Sequence, residues 1–128
     1  MAQIRYIPLE PENSIELTDI PSPMHYFFNP GEVAYPDHEF WELTTGGGLS
    51  NSETNEIHLF TVERVKYFSS KMTKELWIAL EDNARNNHDL MPGWHEGFKP
   101  HFDKLASCFS SAANGNTQIL RISPRFMY

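Results

Sequence analysis

Apolar positions along the chain change period several times, and each change predicts an element. In TKELWIALEDNARNN, Leu76, Trp77, Leu80 and Ala84 recur at helical spacing, which predicts an amphipathic helix over residues 73 to 87. Thr73 can cap its start, Arg85 lies near its negative carboxyl end, and Lys74, Glu81, Asp82 and Arg85 form the opposite, solvent face. A longer stripe follows, with Phe98, Phe102, Leu105, Ala106 and Phe109 at i, i+4, i+7, i+8 and i+11, so a core-facing helix is expected over residues 99 to 113. Ser107, Ser110 and Ser111 fall on its solvent side, and Asn114-Gly115 supplies a left-handed stop.

Elsewhere the period is nearer two. Residues 3 to 7 read as a strand, as does HEFWELTT at 38 to 45, rich in aromatic and β-favouring residues. EIHLFTV at 56 to 62 alternates Ile57 and Leu59 against His58 and Phe60, and TQILRI at 117 to 122 alternates as a closing strand. Residues 14 to 17 and 25 to 28 are short apolar pieces read as extended edges, because six of the nine prolines fall within the first 36 residues and interrupt any helix there. GGGLSNSETNE, residues 46 to 56, reads as a mobile loop joining 38 to 45 and 56 to 62 as an antiparallel pair. It lacks the Gly-Lys-Ser/Thr ending of a phosphate-binding loop. ERVKYFSS, residues 63 to 70, fits either a continued strand or a helix start. The expected fold is one α+β domain, an antiparallel sheet of about four to six strands packed against two helices.

Composition supports a packed core, since 40% of the 128 residues are apolar and 13% aromatic. The amino terminus shows neither the basic start nor the apolar run of a secretory signal, and no stretch approaches the ~18 apolar residues of a bilayer span, so a soluble cytoplasmic protein without a membrane partner is expected. The single cysteine, Cys108, sits in an apolar helical pattern and reads as a small core residue.

Charge changes the picture more. Net charge is −7, and residues 1 to 60 hold ten acids against Arg5 alone, a net of −9, while residues 61 to 128 hold nine bases and seven acids, a net of +2. An acidic half repels phosphate, which argues against direct nucleic-acid binding and favours a protein with a basic surface. Glu32, Tyr35, Asp37, Glu39, Trp41 and Glu42 interleave carboxylates with rings and are the expected partner-binding residues, since aromatic anchors and steering charges combine at interfaces. The leading expectation is therefore a small binding protein of the inhibitor or immunity type, with mimicry of nucleic acid by its carboxylates as a sharper version. Self-association of the acidic half with the basic half of a second copy, giving a homo-oligomer, is a further reading.

The competing class is a small enzyme or small-ligand binder. On a strand His38, Phe40 and Glu42 would share a face, so His38 and Glu42 could act as base and orienter with His58 approaching from a neighbour. MPGWHEGFKPHFDK, residues 91 to 104, is the other candidate, with Trp94, His95, Glu96 and His101. His88, His95 and His101 with Glu96 or Asp103 have the chemistry of zinc ligands, but His95 and His101 are six apart with Gly97 and Pro100 between them, so no metal or other cofactor is expected. Trp94 suits a lid over the core with its indole N–H on a carbonyl, and His101 a border position on the apolar stripe. No residue qualifies as catalytic on sequence alone.

Overall fold

A computed structural model describes residues 3–9, 17–29, 39–46, 54–86 and 93–124. The elements run β1 (Gln3–Pro8), β2 (Thr18–Pro21), α1 (Met24–Phe28), α2 (Trp41–Thr44), β3 (Asn55–Phe60), α3 (Val62–Lys71), α4 (Lys74–Arg85), α5 (Phe98–Asn114) and β4 (Ile119–Pro124). The four strands form one antiparallel sheet in the order β2-β1-β4-β3, and with the helices they make an α+β fold.

Period-two alternation divides the sheet into two unlike faces. Ile4, Tyr6, Ile20, Phe60 and Ile119 point inward and are fully buried. Phe109 of α5 meets Tyr6 edge-on at 5.8 Å and Phe60 at 5.4 Å, and Phe68 of α3 meets Phe60 at 5.6 Å, so both helices cover this inner face. A second aromatic group joins α1, α4 and α5, with Phe27 at 5.1 Å from Trp77 and Trp77 at 5.3 Å from Phe102. One apolar cluster thus extends from the sheet to the outermost helix.

The helices expected at 73 to 87 and 99 to 113 are α4 and α5. Thr73 accepts from the Leu76 amide at 3.2 Å, as the capping pattern requires. Ser107, Ser110 and Ser111 of α5 face solvent. The left-handed residue after α5 is Asn116, with φ 52°, whereas Gly115 has φ −93°, so the stop lies one residue beyond the Asn-Gly pair. The ambiguous 63 to 70 belongs to α3, whose cap Thr61 accepts from the Arg64 amide at 3.3 Å.

Two expected strands are helical instead. Residues 25 to 28 lie in α1, where burial of His25, Phe27 and Phe28 in the aromatic cluster outweighs their β preference. Residues 41 to 44 form α2, and β3 pairs with β4 rather than with 38 to 45. Residues 14 to 16, His38 and 47 to 53 lie outside the described residues, as does Asn87.

Candidate functional site

A four-residue helix has too few internal hydrogen bonds to stand on propensity, so α2 must be held from outside. The sheet and two helices hold it. Tyr6 of β1 donates its hydroxyl to the Leu43 carbonyl at 2.8 Å. Arg121 of β4, fully buried, donates to the carbonyls of Glu42 and Thr45, the latter at 2.9 Å, placing a cation at the carbonyl end of α2. From α1, His25 Nδ1 lies 2.7 Å from Thr44 Oγ1, and Asn29 donates to the same oxygen at 3.1 Å. Beyond the helix, the buried Glu56 accepts from the Thr45 hydroxyl at 3.1 Å and from the Gly46 amide. Gly46 has φ 85°, a left-handed turn that a side chain would strain.

The outward side of α2 carries the ionic part of the site. Glu42 Oε1 accepts from Arg64 Nε at 3.0 Å and from Arg64 Nη2 at 2.7 Å, while Glu42 Oε2 lies 2.9 Å from His58 Nε2. Burial opposes ionisation of Glu42, but the Arg64 and His58 hydrogen bonds outweigh it and hold the carboxyl below its ordinary range. Just before α2, Glu39 accepts from the Tyr67 hydroxyl and pairs with Lys71, both at 3.3 Å. The Arg64 guanidinium also stands over the Tyr67 ring, 4.5 Å from its centroid.

Beneath this surface His25 is fully buried, and burial followed by the nearby Arg121 charge pulls its pKa down to about 4. The imidazole is therefore neutral at pH 7. Burial likewise pushes the Tyr6 phenol up.

The structure brings together Glu39, Trp41, Glu42 and His58, with Trp41 half-buried and edge-on to His25 at 5.7 Å. Glu32, Tyr35, Asp37 and His38 lie outside the described residues. The shared strand face expected for Phe40 and Glu42 is replaced by helical geometry: Phe40 points into the core against Phe28 and Phe68, and Glu42 points out to α3. Glu39 and Glu42 are also engaged within the fold.

Trp94, His95 and Glu96 belong to a separate region, whose ring and polar contacts among the described residues do not reach Glu42 or His58. His95 is buried, stacks on Phe27 at 6.1 Å and lies 4.0 Å from Glu81 Oε2. Trp94 packs edge-on to Phe98 at 5.7 Å as the lid expected, but its indole N–H has no hydrogen-bond partner among the described residues. Glu96 is exposed and His101 half-buried. No three His, Cys, Asp or Glu side chains among the described residues are grouped to hold a metal, and none of the described helices is long and apolar enough to cross a membrane.

Sequence reasoning missed Arg64 and Arg121. Arg64 fell in the ambiguous segment, where Thr61 three residues earlier was the available helix-start signal. Arg121 carried no signal, because a period-two pattern by itself directs a charged residue outward. No protein-family model, curated protein or solved structure matches the chain.

Proposed function

We propose that the protein is a small acidic binding factor of the inhibitor or immunity type, acting in the cytoplasm by covering a basic surface of another protein. The observation that carries this reading is the fate of its bases. Arg5 pairs with Asp19, Arg64 with Glu42, Lys71 with Glu39, Arg85 with Glu81 and Lys99 with Asp103. Arg121 is buried on backbone carbonyls. Five of the ten bases are thus paired with five of the seventeen acids and a sixth is buried, which leaves four bases against twelve acids outside these contacts, three acids to each base. Such a surface steers a basic protein into contact and repels nucleic acid.

Apolar anchoring is available beside the charge. Ile78 on α4 is 50% exposed, with Glu75 and Asp82 three and four residues away on the same helix face. Trp41, half-buried beside Glu39, offers a second anchor. Glu32, Tyr35 and Asp37 extend the same proposal in the sequence.

The test is capture by the immobilised chain at low and high salt, repeated with Glu39→Lys and with Glu75→Lys/Asp82→Lys. The reading expects a specific basic partner, released by salt and weakened by charge reversal while the circular dichroism spectrum is unchanged. Absence of any salt-released partner contradicts it.

One observation favours a second reading. The 2.9 Å contact of His58 with Glu42 is the geometry of an imidazole oriented by a carboxylate, as a general base requires. A small-molecule melting screen, followed by His58→Gln, tests it. A ligand whose stabilising effect is lost in that variant supports a site; no stabilising ligand argues against one.

A further inference from the structure

The outer face of the sheet is built unlike a solvated one. Opposite the buried residues, β1 presents Ile7, β4 presents Leu120 and Ile122, and β3 presents Ile57 and Leu59, all half-buried. Leu9, whose amide continues the ladder to the Gln118 carbonyl at 2.9 Å, is 46% exposed, and Leu17, just before β2, is 51% exposed. By parity both fall on this face. The contacts of α2, α3 and α5 with the sheet run through inner-face residues, and α1 and α4 pack on those helices.

We propose that this face docks against the same face of a second copy, forming a two-fold sheet-on-sheet dimer. Register makes the face self-complementary. Ile7, Leu120 and Leu59 lie in one row across β1, β4 and β3, aliphatic at each position. A two-fold axis along β4 sets Leu120 on itself and Ile7 on Leu59 of the other copy. The next row, Asp19, Arg5, Ile122 and Ile57, carries its ion pair on the β2 side, where the aliphatic stem of Arg5 can cover Ile57 of the other copy.

Charge selects the occupant. The charges this face carries among the described residues are Arg5 and Asp19, bonded to each other at 2.9 Å, so the face is neutral on a chain of net charge −7. A basic partner drawn by the acids elsewhere gains nothing here. A second copy buries apolar surface without stranding a charge, at the cost of bringing two acidic molecules together. Three overlapping strands spaced ~4.8 Å and about six residues long give on the order of 300 Å² of face per copy, below the roughly 800 Å² per partner of a stable complex, so the dimer expected is weak and transient.

The like-charge term fixes the sign of the salt response, because screening relieves repulsion without weakening apolar contact. Dimerisation therefore strengthens with salt, whereas capture of a basic partner weakens, and failure of one reading is separable from failure of the other. Sedimentation velocity of the full chain at about 0.05 M and about 0.5 M NaCl is the test. Expected is a monomer–dimer equilibrium at least several-fold tighter at the higher salt, with Ile122→Lys weakening it at least ten-fold and native circular dichroism. Leu9→Lys alters an already exposed position at the end of β1, within the overlap, and should weaken it less; it carries the test if Ile122→Lys does not fold. A chain monomeric at both salts up to high concentration overturns the proposal. So does a dimer indifferent to both substitutions or dissolved by salt.

Discussion

His58 Nε2 stands 2.9 Å from one oxygen of Glu42 while Arg64 occupies the other oxygen of the same carboxylate with two nitrogens. That relationship ties β3 and α3 to a helix of four residues too short to persist alone. Glu42→Gln should lower stability by about 1 to 2 kcal/mol in a urea titration, because charge-assisted hydrogen bonds are lost at a half-buried site. The acid limb reports the same contact. A carboxyl held below its ordinary value of 4.5 stabilises the fold above that pH and stops doing so as pH falls through the lower folded value. The variant should therefore lose less stability than the parent below about pH 4.5. An unchanged acid limb would dissociate Glu42 from the clamp.

His25 titrates in the opposite chemical sense but with the same direction on the pH axis. Unfolded, its imidazole takes a proton near pH 6.5; buried beside Arg121, it resists until about 4. Between those values the unfolded chain binds the extra proton, so stability falls as pH drops from about 6.5 to about 4, by up to about 3 kcal/mol. The nuclear magnetic resonance signals of His25 should show a neutral ring at pH 5. A His25 resonance titrating near 6.5 in the native protein would contradict its burial.

Phe109 touches rings on two strands and a helix, Tyr6, Phe60 and Phe68. Phe109→Ala should cost about 3 to 5 kcal/mol, measured by denaturant midpoint, because the rings around it are themselves fixed and cannot collapse into the void. A loss below about 1 kcal/mol would mean that the inner face is not packed as described.

The Cys108 thiol is buried, and burial pushes its pKa up, partly offset by a hydrogen bond involving Thr18. A thiol reagent at pH 8 should leave it unmodified in the native protein and label it in full in denaturant. Rapid stoichiometric labelling of the native chain would contradict this placement.

Legibility followed the length of each periodic signal. The stripe from Phe98 to Phe109 covers three turns, and the structure places α5 within one residue of the expected bounds. Thr73 and its cap located the start of α4, whereas its last residue, Arg85, falls two short of the expected end. The short elements failed for a physical reason: MHYFF and WELT contain no complete helical repeat, and their aromatic residues favour strands in isolation. What makes them helical is tertiary, the packing of Phe27 and Phe28 among rings and the capture of α2 carbonyls by Tyr6 and Arg121. The Glu42–His58 proximity was expected from residue type, although through a strand pair that does not form. The clamp by Arg64 was invisible because it depends on where α3 begins.

The measurement that bears most directly on the acidic-surface account is the salt dependence of binding between this chain and a partner isolated at low salt. The account predicts a dissociation constant at least about ten-fold weaker at about 0.5 M than at about 0.05 M NaCl, with the difference reduced by Glu75→Lys/Asp82→Lys or by Glu39→Lys. Affinity independent of salt and of these reversals would contradict it.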